Sequence, residues 1–204
     1  MGSVIPLKKE INNSYLGLKN LVGSKLDAVS QQIKYKLASE INLVHEMTNY
    51  HVKSGGKRIR PLLTLASAKL CGYKNGNRDI NLAACIELIH NATLLHDDVI
   101  DNSDLRRGLK TANSVWGNQS SVLVGDYLFS RCFEMMVEDG SQEILKLLSS
   151  TSSRIAQGEV LQLEHKGEID LLEETYFNII NMKTAALFAA ATKVGACLGN
   201  KSKK

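Results

Sequence analysis

Apolar side chains recur every three to four positions from residue 24 to residue 50, where Leu26, Val29, Ile33, Leu37, Ile41 and Val44 form one stripe and polar residues fill the rest. That period predicts an amphipathic helix over 24–50. Ser54-Gly55-Gly56 interrupts it, and Pro61 suits the first turn of a second helix running to Leu70. CGYKNGNRD, residues 71–79, reads as a loop from its Gly, Asn and Asp content. A long helix is predicted over 79–101, and its stretch INLAACIELIHNATLLH is apolar nearly all round, as in a buried helix. The polar NSDLRRGLKTAN follows, and further helices are predicted at 119–137, 142–164 and 171–198. Strand-like alternation is nearly absent, and no internal repeat, low-complexity segment or domain linker is visible. The pattern predicts an all-α fold, a single-domain bundle of six or more helices whose sites are built from side chains facing a central cavity.

Composition narrows this picture. At 204 residues the chain is long enough for one domain with a substantial core, and its two prolines, Pro6 and Pro61, agree with long helices. The net charge of +4 owes much to the three lysines of the final KSKK. The remainder is close to neutral, so charge gives no support to a nucleic-acid partner. Cys71, Cys85, Cys132 and Cys197 are scattered without a CxxC pair or zinc spacing and read as buried thiols of a reduced compartment. No run approaches the ~18 apolar residues of a transmembrane segment. MGSVIPLKKE has no signal-peptide apolar region, which points to the cytoplasm or to an organelle stroma or matrix. Its Met-Gly start resembles a myristoylation site, but Pro6 stands where Ser or Thr is wanted.

The candidate chemistry begins at LLHDDVIDNSDLRRG, residues 94–108, with Asp97, Asp98, Asp101 and Asp104 close together and Arg106-Arg107 directly after. With about 100° per residue on a helix, His90 lies about 20° and Asp101 about 40° from Asp97, and Asp104 would join them if the helix continued. Asp98 points to the side. A buried row of carboxylates is unfavourable unless a cation neutralises it, and Mg²⁺ takes one or two carboxylates together with waters and substrate phosphates. The plainer alternative is a solvated acidic helix end, against which the apolar approach and the arginine pair both weigh.

Rival site patterns fail on spacing. A calcium loop from Asp101 would put Leu105 and Arg106 at its fifth and sixth positions, where an oxygen ligand and Gly are needed. Glu87-Leu88-Ile89-His90 has the ExxH form of di-iron bundles, but no second ExxH occurs. His45-Glu46 begins like HExxH, yet position 49 is Asn. GGKRIRPLL, residues 55–63, is no P-loop, because Arg58 follows Lys57 and His51 stands where the first Gly belongs. Lys57, Arg58 and Arg60 at a glycine-opened helix start still suit an anion, the alternative being a solvated basic turn. An acidic metal row with cations before and after it can hold two diphosphates at the mouth of an apolar cavity, one through Mg²⁺ and one directly.

GGKRIRPLL, ELIHNATLLHDDVIDNSDLRRG, VLVGDYLFS, QGEVLQ and NMKTAALF together span about residues 53–190. In combination they resemble the trans-isoprenyl diphosphate synthases, and among them the bacterial-type long-chain polyprenyl (octaprenyl-like) enzymes. The resemblance implies that Asp97 and Asp101, with Asp98 in support, bind Mg²⁺ bridging an allylic prenyl diphosphate. It implies an isopentenyl diphosphate pocket at Lys57, Arg60, His90 and Arg107. Arg106, Lys183 and Thr184 would grip the allylic diphosphate, with Asp97, Asp101 and Lys183 the catalytic set. Gln157 and Glu159 lie in a motif that lines the cavity and receive no catalytic role. A homodimer is implied as well.

Chain length in such an enzyme is steric. Residues one to three turns before Asp97 form the floor under the growing tail: Thr93 and Ala92, then Ile89, then Ile86. Small Ala92 and Thr93 favour a long product, although small residues also serve helix packing. The family's second aspartate-rich motif has no counterpart, since no Asp follows Asp170 and no acid follows Glu174. The expectation is therefore the N-terminal portion of a longer synthase, with exposed apolar faces, low stability and little turnover alone. The alternatives are a non-catalytic subunit that binds prenyl diphosphate or partners a full synthase, and, less well matched to Lys57 and Arg60, a terpene cyclase.

Overall fold

The computed structural model describes residues 7–53 and 55–199, with 7–13 and 51–53 as backbone only. The features at Met1-Gly2, Pro6, Ser54 and the KSKK end lie outside the described residues.

The first amphipathic stretch forms two helices rather than one, α1 (Leu7–Lys36) and α2 (Asn42–Lys53). Val29, Ile33 and Leu37 of the predicted stripe are buried, whereas Ile41 is exposed and Val44 packs at the edge of the core. The break has a local cause: the Ser39 hydroxyl accepts the Ile41 amide at 3.1 Å, offering the backbone a turn in place of another helical bond. α3 (Ile59–Leu70) is entered through Arg58, whose φ of 49° is left-handed, and carries Pro61 in its first turn.

α4 (Arg78–Ile100) is the centre of the molecule, as its all-round apolar stretch requires. Ile86, Leu88, Ile89 and Leu95 are fully buried, each stabilising the fold by about 2 kcal/mol through removal from water. α1, α3, α6 and α9 pack around it. The helix ends at Ile100. Asp104 therefore leaves the acidic row and accepts the Ser114 hydroxyl at 3.0 Å.

The polar stretch that follows holds an unexpected two-stranded antiparallel hairpin, β1 (Leu105–Arg106) and β2 (Leu109–Lys110), with Leu105 opposite Lys110 and Arg106 opposite Leu109. Its turn residues Arg107 and Gly108 have φ of 54° and 82°, the paired positive values that a tight hairpin needs. Two-residue strands are too short to show alternation, so the period gave no sign of them.

Short α5 (Ala112–Trp116) leads into α6 (Asn118–Asp139) and α7 (Gln142–Glu164). The predicted last helix is α8 (Glu173–Ile180), a π-helical turn at Asn181–Ala185, and α9 (Ala186–Leu198). α9 lies directly on α3 because Gly195 has no side chain; a Cβ there would stand 2.3 Å from the Thr64 carbonyl oxygen. Cys85 and Cys132 are buried free thiols, while Cys71 and Cys197 are half-buried. Apolar side chains stand exposed on α6 at Leu123, Phe133 and Val137, and again at Leu163, Ile169 and Leu172. Among the described residues no helix is long and apolar enough to cross a membrane.

Candidate active site

Two charged regions lie along α4, and a small cavity lined by Arg58, Glu87, His90, Arg106 and Arg107 among others adjoins both. The first is a cavity of about 450 Å³ between the start of α3, the middle of α4 and α9, lined by Lys57, Arg58, Arg60, Glu87, His90, Arg107 and Phe188 among others. The left-handed Arg58 directs its guanidinium to buried Glu87, Nη1 to Oε1 at 2.9 Å. Burial pushes the Glu87 carboxyl above its usual 4.5, against the opposing pull of Arg58, Arg60 and Arg107. Arg60 lies with its guanidinium 4.2 Å from the Phe188 ring centre, and its buried Nε has no hydrogen-bond partner. Burial lowers its pKa, and Glu87 only partly offsets this. Arg107 donates from Nη1 to the Gly55 carbonyl, which ties the hairpin turn to the glycine loop. Four cations and His90 thus surround a single carboxylate. A buried N–H without a partner is unfavourable, and the excess of cations over acids suits the pocket to an incoming anion.

The second region is the C-terminal end of α4. Asp98, which is 2% exposed, is held by Arg106, whose Nε lies 2.9 and 3.1 Å from its two oxygens and whose Nη2 lies 2.7 Å from Oδ1. This pair raises the Arg106 pKa further. Asp98 is thereby neutralised from within the protein. Arg106 keeps its Nη1 group outside that pair, so it can hold Asp98 and still address an anion.

Asp97 is different. Burial first, then the neighbouring Glu159 carboxylate, push its carboxyl up to about 7, opposed by Lys183. Lys183, on the π-helical turn, places Nζ 2.6 Å from Glu159 Oε2 and 3.9 Å from Asp97 Oδ2. Asp101 caps α4 and is exposed, while Thr184 beside Lys183 is exposed too.

The donor set suits a hard divalent cation only in company. Asp97 and Asp101 supply two carboxylates one turn apart, and Lys183 already stands as a positive charge against Asp97. Among the described residues no three acidic or His/Cys groups converge as a complete cage. Such a half-set fits Mg²⁺, which keeps waters and completes its shell with substrate phosphate oxygens.

The sequence-derived site residues therefore fall into these two regions, with differences in detail. Of the floor residues, Thr93 is half-buried on the Asp97 face, whereas Ile89 and Ala92 are fully buried in the core. Sequence reasoning counted Arg58 among the anion-binding cations and placed Glu159 on the cavity lining, but gave no role to Glu87 or Phe188. The pairing of Glu159 with Lys183 had no signal in the sequence, because it joins α7 to the π-helical turn, and the stacking of Phe188 on Arg60 had none, because it joins α9 to α3.

Residues 41–204 match the Polyprenyl synthetase family. The chain is 44% identical over 181 residues to an octaprenyl diphosphate synthase of Escherichia coli K12, a match covering 89% of this chain and 56% of that protein. It is 37% identical over 177 residues to a heptaprenyl diphosphate synthase component 2 of Geobacillus stearothermophilus, covering 87% of this chain and 55% of that protein. A crystal structure of a polyprenyl synthase from Caulobacter crescentus CB15, complexed with calcium and isoprenyl diphosphate, superposes with a TM-score of 0.87 at 44% identity, covering 89% of this chain and 55% of that one. The chain thus spans about half the length of the relatives it matches.

Proposed function

We propose that this chain, which belongs to the polyprenyl synthetase family, condenses isopentenyl diphosphate with an allylic diphosphate and so lengthens a trans-polyprenyl chain by five carbons. The observation that carries the reading is the pairing of two unlike charged regions along the central helix α4. One is a cationic pocket with a buried, unpartnered Arg60 Nε; the other is a carboxylate pair facing Lys183.

Lys57, Arg60, His90 and Arg107 bind the isopentenyl diphosphate, with Phe188 holding the Arg60 plane against α9. Asp97 and Asp101 would hold Mg²⁺, which when bound neutralises the departing allylic diphosphate. Lys183, Thr184 and the Nη1 group of Arg106 bind that diphosphate from the protein side. Their fixed positions stabilise charge as the allylic C–O bond breaks, a task suited to preorganised donors. The isopentenyl double bond then attacks the allylic cation and a proton is lost. Apolar walls along α4 exclude water from the cation. Thr93, the floor residue on the Asp97 face, sets how far the tail extends, and its small size favours a long product. The cytoplasm or an organelle interior suits the free thiols. The apolar side chains exposed on α6 support a homodimer.

A second reading has its own observation. Similarity to a protein named as component 2 of a synthase supports a subunit that binds prenyl diphosphate and works with a partner chain. The test for both is turnover of labelled isopentenyl diphosphate with farnesyl diphosphate and Mg²⁺ by the purified chain, with products sized. Long prenyl products that vanish in Asp97→Ala support the enzyme. Binding of prenyl diphosphate without product supports the subunit.

A further inference from the structure

α7 and the π-helical turn meet more closely than two helices with ordinary side chains can. A Cβ on Gly158 would lie 2.7 Å from the Lys183 amide nitrogen and 2.8 Å from the Met182 Cβ. One turn earlier on α7, Arg154 donates from Nη2 to Asn181 Oδ1 at 3.0 Å, at the start of the same turn. The residue after Gly158 is Glu159, which receives the Lys183 ammonium at 2.6 Å and lies close enough to Asp97 for its charge to raise the Asp97 pKa. A π-helical turn within a helix widens the coil at one point, and such turns recur at functional sites. Here it brings Lys183 out of α9 onto the Asp97 face, and α7 holds it there at three places.

On the functional reading above, we infer that Glu159 is the positioning residue for Lys183, and that its role is to keep the lysine off Asp97. The distances carry this. Lys183 Nζ is at hydrogen-bond range of Glu159 but 3.9 Å from Asp97 Oδ2, within ion-pair reach and outside a hydrogen bond. The lysine and both acids are largely shielded from solvent, with side-chain exposures of 22% for Lys183, 16% for Glu159 and 13% for Asp97. A shielded ammonium without a hydrogen-bonding carboxylate moves to the nearest other one. Without Glu159 that carboxylate is Asp97, and Lys183 would close on the oxygens meant for a divalent cation. With Glu159 in place, Lys183 keeps two further N–H donors for a diphosphate while Asp97 stays open to the cation.

A double-mutant cycle on the full chain tests this, read by calorimetric binding of inorganic diphosphate in the presence of Mg²⁺ and so independent of turnover. Glu159→Ala should weaken binding about tenfold, and the same substitution in a Lys183→Ala background should have little further effect, because no lysine remains to close on Asp97. Glu159→Gln, which fills the same space and still accepts from Lys183, should restore most of the loss and guards against a simple folding defect. An equal loss from Glu159→Ala in both backgrounds, or no loss in either, would overturn the inference. Absence of Mg²⁺-dependent diphosphate binding by the unaltered chain would instead remove the functional reading on which it rests.

Discussion

The two charged regions solve opposite problems with the same residue types. In the α3–α4–α9 pocket, cations outnumber acids, and the single carboxylate, Glu87, is committed to Arg58. At the end of α4, acids outnumber cations, and the two arginine and lysine partners divide unequally: Arg106 neutralises Asp98 fully, whereas Lys183 leaves Asp97 only partly compensated. The first region can take an anion directly. The second can take one only through an added positive charge. A protein that must hold two diphosphates close together without repulsion between like sites gains from this asymmetry, because each ligand is drawn to a different kind of neutralisation.

The comparison breaks most readily at Asp97. On the proposed function, Asp97→Ala should lower turnover by about a thousandfold or more, since Asp97 would there hold the cation that stabilises the leaving group. Isopentenyl diphosphate binding, measured by calorimetry, should be nearly unchanged. Arg60→Ala should do the reverse, raising the KM for isopentenyl diphosphate about a hundredfold through loss of charge-assisted hydrogen bonds while leaving Mg²⁺-dependent allylic binding intact. Equal effects of both substitutions on both ligands would mean that the regions form one site.

Smaller effects sharpen the contrast. Thr93→Phe should shorten the products seen on reversed-phase separation. Ala92→Phe tests the other floor residue, but Ala92 is fully buried, so that variant should also lose about 2 kcal/mol of stability to overpacking. Glu87→Gln addresses the buried acid of the first pocket. Its folded pKa is raised, so its contribution to stability is complete below the ordinary value of 4.5 and is lost as pH rises through the folded value. The Gln variant should therefore show a flatter fall in Tm from pH 4.5 upward; an unchanged slope would assign that limb to other groups.

The long elements were legible because their period is physical. α7 matches its predicted 142–164 residue for residue, and α4 begins and ends within one residue of 79–101. Failures came where a single local bond decided the backbone. The Ser39–Ile41 bond holds the link between α1 and α2 in a turn against an unbroken apolar stripe, and the tight hairpin at Arg107-Gly108 arose inside a stretch that read only as polar. The site shows the same division. Asp97, Asp101 and Lys57 were readable because charge on an apolar background is conspicuous. The contacts of Asp98, Glu159 and Phe188 depend on which element each one meets, the hairpin, the π-helical turn and α3, and no periodicity along one chain segment encodes that.

The proposed function requires that one diphosphate be bound by side chains alone and the other through a divalent cation. Calorimetric titration of the chain with isopentenyl diphosphate and, separately, with a non-ionisable farnesyl thiodiphosphate, each with Mg²⁺ and with chelator, tests it most directly. The account predicts that isopentenyl diphosphate binds with or without the cation, whereas the allylic analogue binds only when Mg²⁺ is present. The same Mg²⁺ dependence for both ligands would contradict it.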